Sequence, residues 1–485
     1  MNQKKPNILL IVVDQMRADC LGAAGNSVIR TPTIDSIIRS GHYFTHARTE
    51  MPSCIGARRS IESGQSPEKH KMIGYLDKIV WNEKNTIDHI LKNYGYFTMN
   101  VGKRHNYPRV APEGFSGYQY NVQYEEWRDF GDNFQDDYHE FLKKNDRWYY
   151  GPFATHSSNN SFVGSIFPLE ERFHPSSWTA AEGIKALEMW SEKKSDLPFF
   201  LHLSFSAPHP PFTPPLNYFN EYILKDLPSP VFGDPVKYNE PSEFRGRFFQ
   251  ESDCIQLTRE EMHRTTAAYY GLISHIDACI HGVLFYLQRE LKSRNVLENT
   301  IIAFTGDHGE MLGDHGRFNK AVGYEGAVRI PMAFNFPNKM TKQIKVGGRY
   351  DELVGNQDVL PTLLGAIEAP VPSSVTGINL MPLIKNENEV LNRDFFHGEH
   401  FGCMHFIVTK EFKFIWNYKT NQKELYALKN DPLECKNIIS EPKYRDIGIN
   451  FEKLLVEQLS SRGDLFLKEG KLAAPRVSLE KWLEG

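Results

Sequence analysis

Asn7-Ile-Leu-Leu-Ile-Val-Val-Asp14-Gln15 is the stretch from which the fold is read. Residues 8–13 are continuously apolar and rich in β-branched side chains, the composition of a strand covered on both faces, as in a parallel sheet. A sheet of that kind carries helices on both sides, so the expected class is α/β, with a large, mostly parallel sheet. The run is short, meets Asp14 at once and lacks a small-residue cleavage site, so it reads as a first strand and not as a signal peptide. Asp14 alone could cap a helix. Beside Gln15 it also places two oxygen donors at a strand end, where a hard cation could be held.

The same arrangement recurs along the chain. A strand from Tyr96 to Val101 ends in Gly102-Lys103-Arg104-His105, one from Pro198 to Phe205 runs into Ala207-Pro208-His209, and one from Asn299 to Phe304 ends in Thr305-Gly306-Asp307-His308-Gly309. In open α/β sheets ligands bind outside the carboxyl ends of the strands, so four such clusters should meet on one rim. Helices are expected over Thr31–Gly41, over Asn85–Gly95 with Asn85 as N-cap, over Trp178–Lys193 and over Gln357–Leu364. A long helix should open at the capping box Thr258-Arg-Glu-Glu261 and run to about Lys292. Cys54-Ile-Gly-Ala-Arg58-Arg-Ser-Ile-Glu-Ser-Gly64 predicts a short helix with Cys54 at its N-terminus and Gly64 just past its end. A lone cysteine more often packs as a small hydrophobe. Here a helix N-terminus, which favours negative charge, and the neighbouring polar clusters turn the reading towards a nucleophile that handles anions.

The residue types narrow the reaction. Asp14, Gln15 and Asp307 offer oxygens and His308 a nitrogen to a divalent cation. Arg58, Lys103, Lys320, His105 and His209 offer positive charge and donors. Together they suit an oxyanion ester, sulfate or phosphate, whose non-bridging and leaving oxygens gain charge during cleavage.

At 485 residues, 40% apolar and 24% charged, the chain fits a large catalytic α/β domain over 1–388 and a smaller one over 389–485 that completes the cleft, divided near Asn386-Glu-Asn-Glu389. In the smaller part Cys403–Val408 and Phe412–Tyr418 alternate as antiparallel strands do, and Phe451–Arg462 reads as a terminal helix. Residues 106–175, with Trp127-Arg-Asp-Phe130 and Trp148-Tyr-Tyr-Gly-Pro-Phe153, show little periodicity and read as an excursion from the sheet, either shaping a binding site or forming a surface insertion. His397 and His400 could contact substrate, but at that spacing are more often surface residues. A net charge of −4 argues against nucleic acid as main partner, and six scattered cysteines without a C-x-x-C pair argue against structural zinc or a disulfide scaffold. No run approaches a membrane span. As written the chain reads as cytoplasmic; a leader removed before numbering began would make it periplasmic or secreted. Whether it oligomerises is not legible.

These motifs, in this order, resemble the formylglycine-dependent sulfatases of the alkaline phosphatase superfamily, with their related phosphonate monoester hydrolases. Asn7 to Gln15 looks like the family's opening strand and metal ligands, and Cys54 to Gly64 like its C-x-P/A-x-R…G signature. Gly102-Lys103-Arg104-His105 is similar to its G-K-x-H. Ala207-Pro208-His209, Gly306-Asp307-His308-Gly309 and Lys320 with Tyr324-Glu325 follow in family order. Glu424-Leu-Tyr426…Asn430-Asp-Pro432…Glu434…Asn437 resembles its closing signature.

The resemblance implies an alkaline phosphatase-like fold and a sulfatase that hydrolyses a sulfate ester of a carbohydrate or other small molecule. It implies that Cys54 is oxidised by a formylglycine-generating maturation enzyme, and that the hydrated aldehyde is the nucleophile. Asp14, Gln15, Asp307, His308 and the modified Cys54 would hold the cation, Ca2+ first, with Mn2+ or Mg2+ as alternatives. Arg58 and Lys103 would stabilise the hydrate, His105 would take the proton that triggers sulfate release, and His209 and Lys320 would serve the leaving oxygen. Two positions depart from the pattern. Gly56 stands where the family has Pro or Ala, and Asp14-Gln15 stands where many sulfatases have paired aspartates. They leave two further readings: a phosphonate monoester or phosphodiester hydrolase on the same scaffold, and a non-catalytic oxyanion or glycan binder with unmodified Cys54.

Overall fold

The computed structural model describes residues 5–109, 112, 114–125, 136–147, 161–194, 196–234, 252–254, 257–337, 340, 344, 346–386, 389–475, 478 and 481. Its large sheet has eight strands: β1 (Asn7–Asp14), β2 (His42–Phe44), β4 (Phe97–Gly102), β5 (Tyr120–Gln123), β6 (Phe199–Pro208), β8 (Thr300–Gly306), β10 (Met332–Asn335) and β11 (Gly348–Tyr350). Two short pairs lie beside it, β3 (Ala47–Arg48) with β12 (Val354–Gly355) and β7 (Ser252–Cys254) with β9 (Arg317–Asn319). The sheet order is β11-β2-β10-β8-β1-β6-β4-β5, and β10 alone runs antiparallel to its neighbours.

β1 lies in the middle, and its side chains divide between two cores. Leu9, Ile11 and Val13 join Ala186, Leu187 and Trp190 of the helix Pro175–Lys193 and Ile273, Ile276 and Ile280 of the helix Arg259–Arg289. Ile8, Leu10 and Val12 join Leu91, Leu360 and Leu363 on the other side. Each such side chain contributes about 1.5–3 kcal/mol by leaving water. Because both faces are apolar, hydrophobicity alone does not penalise a one-residue slip of β1. The ends set the register: Asn7 Oδ1 accepts from the Phe199 N–H at 3.1 Å, and the pairing with β6 shifts between Val13 and Asp14, where the chain enters the rim.

The capping box at Thr258 forms as read, and the helix it opens has 31 residues. By length and composition that helix could cross a membrane, unlike any run picked out from the sequence. Here 67% of its apolar window is buried inside the protein, where it packs on the helix Pro175–Lys193.

A second, antiparallel sheet comprises β13 (Phe396–His400), β14 (Met404–Val408), β15 (Phe412–Asn417) and β16 (Gln422–Ala427). One face meets Phe451, Leu455 and Leu459 of the terminal helix. The other meets Met311, Val322, Tyr324 and Val328 of the large unit.

Several expectations need correcting. The terminal helix starts at Arg445, not Phe451. The helix read from Asn85 starts at Ile87 with Thr86 at the N-cap, and the Asn85 N–H is taken by Glu83 Oε1 at 2.8 Å. The excursion over 106–175 returns to the sheet, because Tyr120–Gln123 pairs parallel to β4 at the edge. Its two tryptophan clusters, and Glu387 and Asn388 at the expected domain boundary, lie outside the described residues. His400 is not a surface residue: it is buried at the end of β13, and His397 Nε2 lies 3.3 Å from His405 Nδ1.

Candidate active site

β4, β6, β1 and β8 are parallel neighbours, so Lys103, His209, Asp14 and Asp307 leave the sheet on the same rim. The turn into Lys103 depends on Gly102, which sits at φ 100°; a Cβ there would lie 2.0 Å from the Ser204 carbonyl oxygen. Gln15 at φ 62° and His105 at φ 60° are also left-handed, a strained conformation for non-glycine residues that gathers at functional sites.

The buried charges interlock. Asp14 Oδ2 lies 2.6 Å from Lys103 Nζ and 3.1 Å from Arg58 Nη2. Arg58 follows Cys54 by one helical turn. Its Nε donates to Asp307 Oδ2 at 2.9 Å, and its Nη1 to the Lys103 carbonyl and Ser204 Oγ at 2.8 and 2.9 Å. Burial would raise the Asp14 carboxyl, but Lys103 foremost, with Arg58, holds it well below the usual carboxylate range. Asp14 and Asp307 thus hold Arg58 and Lys103, and Lys320 meets Gln15 and His209, so three cations gather on the rim where an anionic substrate would sit.

The helix Cys54–Ser63 places Cys54 at its first position, and Gly64, at φ 65°, closes it as read. Cys54 is 1% exposed. Its Sγ lies 3.1 Å from His308 Nε2, 3.6 Å from Asp14 Oδ1 and 3.9 Å from Lys103 Nζ. Burial, then Asp14, push the thiol pKa up. His308 Nδ1 faces the Gly309 carbonyl at 3.0 Å, which turns Nε2 into the cluster. Ligand atoms of Asp14, Cys54, Asp307 and His308 all lie within 4.8 Å of one another. Carboxylate oxygens with an imidazole nitrogen fit a divalent cation. Gln15 is placed differently. Its N–H donates to Asp307 Oδ1 at 3.0 Å, its Nε2 donates to Glu310, and its Oε1 accepts from Lys320 Nζ at 2.8 Å.

Lys320 Nζ also lies 2.9 Å from His209 Nε2, while His209 Nδ1 meets the Pro210 carbonyl at 2.9 Å. Nδ1 therefore carries the hydrogen and Nε2 accepts. Burial first, then Lys320 and Lys103, lower the His209 pKa and keep the ring neutral. Burial, then Lys103 and Arg109, do the same at His105. The His105 N–H donates to Glu125 Oε2 at 2.9 Å, and its ring meets Tyr75 edge-on. Every residue read as part of the site thus reaches one rim.

Sequence reading missed the supports: Ser204, Glu125, Glu310, Asn319 and Asn356. Asn356 Nδ2 donates to the Asp307 carbonyl at 2.7 Å. Glu310 carried a signal, as a charge directly after Asp307-His308-Gly309. Nothing nearby marked Asn356. Gly56, which departed from the expected pattern, has a packing reason: a Cβ there would lie 2.5 Å from Met51 Cγ and 2.8 Å from the Met72 carbonyl oxygen.

The closing motif lies elsewhere, at the seam between the two sheets. Arg48 pairs in two-pronged fashion with Glu325 at 2.9 Å, and Lys413 Nζ bridges Glu325 and Glu434 at 2.9 and 2.8 Å. Glu424 accepts from the Tyr324 and Tyr426 hydroxyls at 2.8 and 2.6 Å. Asn437 Oδ1 accepts from the Leu425 and Ile439 N–H groups, both at 3.1 Å.

Comparison with known proteins gives the family and the fold. The family model described as Sulfatase matches residues 6–369, and one described as N-sulphoglucosamine sulphohydrolase, C-terminal, matches residues 313–461. The chain is similar to an arylsulfatase of Clostridium perfringens, 37% identical over 480 residues that span 96% of this chain and 97% of that protein. It is also similar to a choline-sulfatase of Rhizobium meliloti, 25% identical, over 91% of this chain and 84% of that protein. Among solved structures, a phosphonate monoester hydrolase of Agrobacterium radiobacter superposes with TM-score 0.74 at 20% identity, over 98% of this chain and 100% of that one.

Proposed function

The chain belongs to the sulfatase family, a sulfuric ester hydrolase with an alkaline phosphatase-like fold, and on that premise we propose that it cleaves the sulfate ester of a carbohydrate or other small molecule through a formylglycine made from Cys54. The observation that carries this reading is the position of Cys54 Sγ, 3.1 Å from His308 Nε2 and 3.9 Å from Lys103 Nζ, at the centre of the buried cluster. We assign residues 1–388 to catalysis and 389–485 to completing the cleft.

Once formed by a maturation enzyme, the hydrated aldehyde supplies the attacking hydroxyl and a second hydroxyl through which sulfate can leave without water attacking sulfur. A divalent cation held by Asp14, Asp307 and His308, with Gln15 and residue 54 adjoining, would supply Lewis acidity; Ca2+ is the first choice. Arg58 and Lys103 neutralise the carboxylates and orient residue 54. Neutral His105 accepts the proton whose removal releases sulfate. As the sulfur–oxygen bond to the alcohol breaks, the pair Lys320 and His209 delivers a proton to the departing oxygen.

The first test is the mass of the tryptic peptide Thr49–Arg58, made with and without a formylglycine-generating enzyme. An aldehyde at position 54 together with turnover of an aryl sulfate supports the reading. A free thiol under both conditions overturns the nucleophile and favours a binder. Faster cleavage of an aryl phosphonate than of the matched aryl sulfate favours the phosphonate hydrolase.

A further inference from the structure

Lys320 follows a loop that Glu310 closes. Glu310 is fully buried, and its Oε1 accepts from the Leu312 N–H at 2.9 Å and from the Asn319 N–H at 2.6 Å, so one carboxylate oxygen joins the loop's start to the residue before Lys320. Its Oε2 accepts from Gln15 Nε2. That contact decides which way the Gln15 amide faces. With the NH2 committed to Glu310, the carbonyl must point to Lys320 Nζ, 2.8 Å away, and Lys320 in turn reaches His209 Nε2. An amide flipped the other way would set NH2 against an ammonium, two groups that can only donate.

We propose that Glu310 is a positioning residue for the leaving-group step: it fixes the Gln15 amide so that Lys320 is held against His209, where the departing oxygen takes its proton. This rests on the proposed sulfatase reading. The carboxylate that an aspartate would bring at position 15 is here placed one hydrogen bond further back, on Glu310.

In Glu310→Gln one side-chain oxygen survives. If it stays on the Leu312 and Asn319 N–H groups, the new NH2 faces Gln15 and forces the flip. The test compares kcat/KM on 4-nitrophenyl sulfate and on an alkyl sulfate, whose leaving group is far more basic. The alkyl ester should lose at least about 10-fold more than the aryl ester, as expected when proton delivery is impaired. The reciprocal double variant Gln15→Glu with Glu310→Gln restores a matched donor and acceptor between the two residues and at Lys320, while the Asn319 amide, which now accepts from Gln15 Nε2 at 3.4 Å, can turn its Nδ2 to the new carboxylate; it should recover the alkyl ester preferentially. Equal losses on the two esters, or no recovery in the double variant, would reduce Glu310 to a loop clamp and overturn the proposal. If Glu310→Gln does not fold, as read by its melting curve, the double variant alone decides: the aryl-to-alkyl ratio of the parent supports the proposal, and a ratio shifted against the alkyl ester overturns it. A parent protein that turns over neither ester, with Cys54 converted, is a different result, since it removes the sulfatase reading itself.

Discussion

Two of the buried networks of charge among the described residues differ in what their charges face. At the seam, Arg48 and Lys413 match Glu325 and Glu434 one for one, and a backbone N–H at Glu325 takes Glu434 Oε2 at 2.7 Å. At the rim, Asp14 and Asp307 hold Arg58 and Lys103, Lys320 meets Gln15 and His209, and the group surrounds a cysteine. Each set includes residues of the same family pattern: Glu325 and Glu434 at the seam, and Asp14, Arg58, Lys103, Asp307 and Lys320 at the rim. Buried charge therefore does not by itself mark an active site; cations gathered round a candidate nucleophile do.

The sharpest way to break this contrast is to exchange the outcomes of mutation. Cys54→Ala should lower aryl sulfate turnover by about 10^4-fold or more while leaving the melting temperature within a degree or so, because it removes the reacting atom and little packing. Glu325→Gln should do the reverse. It takes the ion-pair partner from Arg48 in the interior and leaves Lys413 with Glu434, a loss of about 3–5 kcal/mol measurable by denaturant unfolding, with kcat/KM of the folded protein nearly unchanged. If Glu325→Gln destroyed turnover in a protein that remained folded, the seam would belong to the mechanism.

Glu50 belongs to neither network. It is 1% exposed, its Oε1 accepts from the Gln357 N–H at 3.2 Å, and its Oε2 has no hydrogen-bond partner among the described residues. Burial first, then Asp358, push its pKa from an ordinary 4.5 up to about 8. The folded protein thus keeps a proton that the unfolded chain gives up, so stability is full below pH 4.5 and falls as pH rises towards 8. Glu50→Gln keeps the bond to Gln357 and has nothing to ionise. It should be more stable than the parent at pH 9, by about 1–3 kcal/mol, and equal to it at pH 4. Equal pH profiles would mean that Glu50 is ionised and paired in solution.

The strand-end chemistry was legible because parallel strands have an apolar signature and ligands gather at their carboxyl ends; Asp14, Lys103, His209 and Asp307 follow from that rule alone. Arg58 was legible as one helical turn from Cys54. Glu310 and Asn356 were not, because each acts through a hydrogen bond to a residue hundreds or dozens of positions away, which no local pattern encodes. The seam was visible as a motif but not as a joint, since sequence order does not tell a buried pair from a reactive one. The helix start at Thr86 was misread by one residue because Asn85 is the stronger capping type, while its N–H is engaged by Glu83.

Gly56 gives the smallest and most specific test of how the rim is built. Two effects oppose each other in Gly56→Ala. Alanine is favoured over glycine inside a helix by about 0.5–1 kcal/mol. Against that, the new Cβ meets Met51 Cγ at 2.5 Å and the Met72 carbonyl at 2.8 Å, and the carbonyl belongs to backbone that cannot swing aside as a methionine can. Overpacking of this kind costs about 1–3 kcal/mol, so the net loss should be about 0–2 kcal/mol in denaturant unfolding. The same substitution restores the small residue that the family carries two positions after its cysteine. If maturation reads the extended chain, the aldehyde fraction of the Thr49–Arg58 peptide should rise or hold even as stability falls. A fall in both would mean that the folded environment of residue 56, and not the extended motif, governs conversion of Cys54.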